Sequence, residues 1–318
     1  MNNRLNNPAV VLASGLLFLT ACGGGGGGGG SAPTSATATA APPSPNAGLY
    51  ISFQTDSATI TYPMASATAL VTNAGTGGVA AAASGQGATM TLTTNGGAFN
   101  IAFNVPTTGS TFTQQYASSV WEIDNPIDRN APAAAYLATI LRLAYGSPNR
   151  DFSEITQSIG PQSLNSAAYG FWASGDTATT GRAGTFAFGN LTPTASVPST
   201  GSATFNGLTI GAGGASSGST VYALEGKAQI IANFASQSVT TSLTNLSTQN
   251  ISTNAVGSLP NLTGTSAMSG NAYSGPIGGT GLTGTINGNF YGSAAQETAG
   301  VWQASGGGNA WIGSFGAK

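Results

Sequence analysis

The sequence predicts an all-β protein with one helical insertion, ending in a small barrel of antiparallel strands that is not membrane-embedded. Three observations carry that expectation. From Gly48 onward, Thr, Val, Ile, Tyr and Phe occur in short runs cut by Gly, Asn and Ser, the texture of strands joined by tight turns. The run from Val221 to Phe234 alternates with a period of two along its whole length. Only Asn130 to Gly146 breaks the pattern, with an apolar stripe at helical spacing.

The elements follow in chain order. Residues 1–21 are expected to be a bacterial export signal. Arg4 supplies a positive start, and Pro8 to Leu19 is an apolar stretch shorter than the ~20 residues that span a bilayer. It runs into Leu19-Thr20-Ala21-Cys22, an aliphatic residue, two small ones and the chain's single cysteine. This resembles the lipobox of bacterial lipoproteins and implies diacylglycerol on the Cys22 thiol and a further acyl chain on its amine after cleavage. Several chains on one residue anchor durably, since each buried CH₂ contributes roughly 0.8 kcal/mol. By resemblance to the enterobacterial sorting rule, Gly23 in place of Asp points to the outer membrane.

Residues 22–47 combine the acylated cysteine with a glycine run and an Ala/Ser/Thr/Pro stretch that has no periodicity with which to pack. They are expected to be a tether, whose coil would span about 25–30 Å. Thr89 to Thr94, then Asn95-Gly96, then Ala98 to Phe103 predicts a hairpin, because Asn-Gly supplies the positive φ of a type I′ turn. A helix is predicted over 131–145, with Asn130 as cap, Pro132 in the first turn and Gly146 with Pro148 as the stop. Tyr136, Leu137, Ile140, Leu141 and Ala144 form its stripe.

In the strand from Val221 to Phe234, Tyr222, Leu224, Gly226, Ala228, Ile230, Ala232 and Phe234 share one face. Alternation of bulky and small residues suits the inside of a small barrel. Val239, Thr241 and Leu243 continue the pattern, and Leu282, Gly284, Ile286, Gly288 and Phe290 repeat it. The outward positions are Thr, Asn, Gln and Ser, not the apolar band of a membrane barrel.

Charge and chemistry narrow the function classes. Only 5% of residues are charged, the net charge is −2 and histidine is absent. No nucleic-acid partner is expected, because phosphate neutralisation needs a basic surface. Without histidine there is no Ser-His-Asp or Cys-His set, and with one cysteine there is no cysteine metal cluster. No enzymatic activity and no cofactor are expected. Haem would have to take Tyr or Met as ligand. Half of the charged residues, Glu122, Asp124, Asp128, Arg129, Arg142, Arg150, Asp151 and Glu154, collect around the predicted helix. The plain reading is solvation of loops around a helix that caps a barrel end. The functional reading makes Glu122, Asp124, Arg129 and Arg150 a contact surface, with the apolar stripe packed inside.

The last third carries a pattern: Gly284-Thr285-Ile286-Asn287-Gly288-Asn289-Phe290-Tyr291-Gly292, then Ala294-Ala295-Gln296-Glu297, then Ala299-Gly300-Val301-Trp302, and a closing Gly313-Ser314-Phe315-Gly316-Ala317-Lys318. It resembles the C-terminal β-barrel of the transferrin-binding protein B family, a group that includes factor H-binding protein and other surface lipoproteins of Gram-negative bacteria. Gly201 to Gly207 looks like an earlier strand of the same barrel. The resemblance implies a small N-terminal sheet, the handle, at 48–165, and an eight-stranded barrel at 166–318. It also implies structural roles for Gly288, Phe290, Gly292, Trp302 and Phe315. Glu297, the only carboxylate after Glu225, is expected to cap backbone N–H groups at its own turn.

The function implied is a surface-exposed outer-membrane lipoprotein that binds a protein or small solute. A dedicated translocator would carry it to the cell exterior, and a TonB-dependent transporter would be a neighbour. The alternative is a structural or adhesive coat protein.

Overall fold

The computed structural model describes the strands between 59 and 159, and residues 164–318 apart from 175–179, 216–220 and 251–252. Among the described residues there is no α-helix, only a single 3₁₀ turn at Thr194–Ser196. The strands form two sheets.

The first sheet takes β1 (Thr59–Thr72), β2 (Ala80–Ala81), β3 (Gly85–Asn95), β4 (Ala98–Thr107), β5 (Ser110–Ser118), β6 (Tyr136–Ala144), β7 (Phe152–Ile159), β8 (Ala167–Ser174) and β9 (Thr180–Gly189). Its order is β5-β4-β3-β1-β9-β8-β7-β6, with β2 beside β1. The hairpin predicted around Asn95-Gly96 is present: β3 and β4 pair from Thr89 opposite Asn104 to Asn95 opposite Ala98. The edge strands β5 and β6 come into contact, so the sheet curls. On the face turned away from the second sheet, Tyr62, Met64, Phe186 and Phe188 are all buried, and the Tyr62 and Phe188 rings stand 5.4 Å apart.

The helix expected over 131–145 is corrected. Tyr136–Ala144 is strand β6, paired antiparallel to β7 from Tyr136 opposite Ile159 to Ala144 opposite Phe152. Its Ala and Leu residues favour a helix locally, but pairing with β7 supplies the backbone hydrogen bonds and overrides that preference.

The second sheet is a closed barrel. β10 (Ser202–Ala215), β11 (Val221–Asn233), β12 (Ser238–Asn250), β13 (Val256–Ser258), β14 (Leu262–Ser269), β15 (Ala272–Gly279), β16 (Leu282–Tyr291), β17 (Glu297–Gly306) and β18 (Asn309–Ala317) follow one another. Eight of them close the ring: β10 pairs with both β11 and β18, and β11 also pairs with β12. The short β13 lies outside the ring against β12. Closure removes the sheet edges that would otherwise template aggregation.

The inner face predicted for β11 is the observed one. Leu224, Ala228, Ile230, Ala232 and Phe234 are buried in the barrel core, with Tyr222 packed beside them. Val239, Leu243, Leu282, Ile286 and Phe290 join them. The polarity is the reverse of a lipid-facing barrel: apolar side chains fill the inside, and Thr240, Thr263, Thr265, Thr283 and Thr285 are exposed outside.

The change of sheet comes later in the chain than Ser166. β8 and β9 lie in the first sheet, and the barrel's first strand starts at Ser202. Alternating small and aromatic residues mark both sheets alike, so local pattern identifies a strand but not the sheet that it joins. The outer faces of β17 and β18 pack on β8 and β9. Leu164, Ala167, Tyr169, Ala187, Ile210, Tyr291 and Ala299 form the apolar seam between them.

Candidate functional site

Inside the barrel, large side chains stand opposite glycines on the next strand. Trp302 faces Gly313, Phe315 faces Gly300, Trp311 faces Gly213 and Tyr273 faces Gly288. In each pair the ring occupies the space that a side chain at the glycine would need. A narrow barrel cannot hold two bulky residues at one level, and an aromatic laid over a glycine also shields the backbone there. Gly288 and Phe315 thus belong to the same packing device. Phe290 is the hub of the core at the end of the barrel where β16 meets β17. Its ring lies 6.0 Å from Phe205, 5.7 Å from Phe234 and 5.4 Å from Tyr273.

A polar chain crosses the same core. The Trp302 indole Nε1–H donates to Thr209 Oγ1 at 2.9 Å, and the Thr209 hydroxyl donates to the Ser314 carbonyl at 2.8 Å. The Tyr273 hydroxyl shares a 2.8 Å hydrogen bond with Thr298 Oγ1. Burial pushes the pKa values of Tyr273 and Tyr291 well above the ordinary phenol range. Both phenols therefore keep their protons at neutral pH.

Glu297 does something the sequence does not reveal. Its side chain points out of the barrel into the seam and is 2% exposed. One carboxylate oxygen accepts the Asn165 N–H at 2.7 Å, and the other accepts Ser166 N–H at 2.9 Å and Ala167 N–H at 3.0 Å. The expectation of capping at its own turn is corrected: the N–H groups belong to the lead into β8, about 130 positions away. The local turn is served instead by Gln296, whose Oε1 accepts the Ala294 N–H at 3.0 Å. Burial raises the Glu297 pKa above the ordinary carboxylate range; the three N–H donors and the positive charge of Lys318 oppose that rise. Gly292, with φ of +86°, sits in the left-handed region and donates its N–H to the Asn190 carbonyl at 2.9 Å.

Two further hydrogen bonds tie the sheets: Ser314 Oγ to the Gly170 carbonyl at 2.9 Å, and Thr185 Oγ1 to the Gly313 carbonyl at 3.1 Å. The expected contact residues Glu122, Asp124, Arg129 and Arg150, and the lipid-bearing Cys22, lie outside the described residues. Among the described residues no group of three or more His, Cys, Asp or Glu is placed to hold a metal ion. The outer face of β12 to β16 is uncharged and rich in hydroxyls, with Thr240 opposite Thr265 and Pro276 opposite Thr285. The described charges exposed on the barrel strands are Glu225 and Lys227 of β11.

Residues 197–318 match the family model for the C-lobe and N-lobe β-barrels of Tf-binding protein B. No curated protein matches the chain. Among solved structures, the chain is similar to a double mutant of transferrin-binding protein B from Haemophilus parasuis, at 11% identity and a TM-score of 0.39, covering 83% of this chain and 76% of that one. It is also similar to the apo haemoglobin receptor HpuA from Kingella denitrificans, at 14% identity and a TM-score of 0.38, covering 83% and 88%. A third is the N-lobe domain of lactoferrin-binding protein B from Moraxella bovis, at 15% identity and a TM-score of 0.31, covering 52% and 80%. The matched residues take in every strand of the closed barrel, and that part of the chain is similar to the β-barrels of Tf-binding protein B.

Proposed function

We propose that this protein is a non-enzymatic lipoprotein of the outer-membrane surface that captures a soluble protein and serves as co-receptor to an outer-membrane transporter. The observation that carries this reading is the match of the closed barrel to the barrels of Tf-binding protein B. The Leu19-Thr20-Ala21-Cys22 sequence supports a lipid anchor independently. On this reading acylated Cys22 holds the chain to the outer-membrane lipid and residues 22–47 are the leash. The first sheet, with the charged segment around Glu122, Asp124, Arg129 and Arg150, and the barrel are the body that meets the ligand. A translocator carries the chain to the outer leaflet.

A second reading is a structural or adhesive coat protein. It is favoured by the uncharged hydroxyl face of β12 to β16, which offers many weak contacts and no steering charge. Deletion of the gene separates the two. On the first reading, deleted cells lose saturable capture of one protein from a panel of transferrin, haemoglobin and lactoferrin, and keep their adhesion. On the second, capture of all three is unchanged and cell adhesion or cohesion falls.

A further inference from the structure

The geometry points to Glu297 as a latch that locks a hinge between the first sheet and the barrel. The covalent passage from one to the other begins at Gly189, whose φ of +154° lies in the positive-φ region, and a side chain there would overlap the Ser166 carbonyl. The passage is stitched on both sides. Asn190 N–H donates to the Ser166 carbonyl at 2.8 Å, Thr192 N–H to the Phe290 carbonyl at 3.0 Å, and Leu191 bridges to Tyr291. Ser166 is therefore shared: its carbonyl holds the passage and its N–H is held by Glu297.

The carboxylate belongs to the barrel, while its three donors belong to the lead into β8 and that strand's first residue. Successive backbone N–H groups converging on one anion form a binding concavity of the kind that accepts phosphates or carboxylates from outside a protein. Here the anion is supplied from within the chain. Charge-assisted bonds are roughly twice as strong as neutral ones. The other two described hydrogen bonds across the seam, from Ser314 and Thr185, are neutral. Among these described hydrogen bonds Glu297 supplies the charged tie, at the point where the chain itself would pivot. None of the eight barrel strands needs this carboxylate for its ladder, so releasing it frees the hinge and leaves the ring closed.

The test is amide hydrogen exchange on the mature lipoprotein in detergent, comparing wild type with Glu297→Gln and Glu297→Asp. Gln puts an NH₂ group against one donor, and Asp withdraws the carboxylate by one methylene. The latch predicts exchange at least ten-fold faster at Ser166, Ala167, Asn190 and Thr192, with β11, β12, β14 and β15 unchanged. Unchanged exchange at the hinge amides in both variants would overturn it. So would an even rise over the whole barrel, or failure of both variants to fold, since Glu297 would then be part of the barrel's own stability.

Discussion

Trp302 and Gly313 stand directly opposite each other on β17 and β18, and the indole lies where a side chain at 313 would be. The pair shows why so glycine-rich a chain still has a packed core. Gly313→Ala is expected to destabilise the protein by about 1–3 kcal/mol through overpacking. Trp302→Ala leaves a void and orphans the Thr209 acceptor, and is expected to cost ~3–5 kcal/mol. Denaturant melts of the two variants check both values.

Removing Glu297 altogether tests the seam. Glu297→Ala leaves the N–H groups of Asn165, Ser166 and Ala167 without their acceptor, the first two part-buried and the third buried. A cost of about 1–3 kcal/mol is expected, the penalty of an unsatisfied buried donor, with water reaching the other two. A change below ~1 kcal/mol would show that water replaces the carboxylate.

The same residue gives a pH dependence with a definite sign. Its pKa in the folded protein is raised above the ordinary 4.5. The folded state then binds the proton more tightly than the unfolded state, so the Glu297 contribution is most favourable below that ordinary value and declines as pH rises through the raised one. The stability difference between wild type and Glu297→Gln should therefore shift against wild type as pH rises from about 4 towards neutrality. A difference that moves the other way would mean that the three N–H donors outweigh burial.

How far the sequence reaches differs between elements. β11 was legible because one of its faces meets the core and the other meets water, which writes a period of two into the residues. β6 was not, because Tyr136 to Ala144 is nearly all apolar, and such a run has the same look in a helix and in a strand. The partners of Glu297 were beyond reach for another reason. A carboxylate signals that it needs donors, and nothing local says that they lie across a sheet seam. The opposed glycines were recoverable in principle, since Gly288, Gly300 and Gly313 sit at inward positions of three consecutive strands.

The seam also sets what can be cut away. A fragment of residues 190–318 contains every strand of the barrel and is expected to fold with a cooperative β-sheet melt. Its melting point should lie below that of the whole protein, because Ile210, Tyr291 and Ala299 lose their cover. A fragment that stays unfolded by circular dichroism would show that the two sheets fold only as one.

Anchoring is checked on the living cell. Wild-type protein is expected to incorporate labelled palmitate and to partition with outer-membrane vesicles. Cys22→Ala is expected to lose the label and either leave the membrane fraction or accumulate as precursor. Retained labelling in the variant would remove the lipobox reading.

Saturation binding tests the central claim most directly. The lipoprotein is held in vesicles of outer-membrane lipid and titrated with transferrin, haemoglobin and lactoferrin in turn, at low and high salt. Saturable binding of one of them at a fixed stoichiometry is the expected result, weakened by Arg129→Glu with Arg150→Glu and by salt as charge steering requires. No saturable binding of any of the three, by protein shown to be folded and acylated, would contradict the account and leave the coat reading in its place.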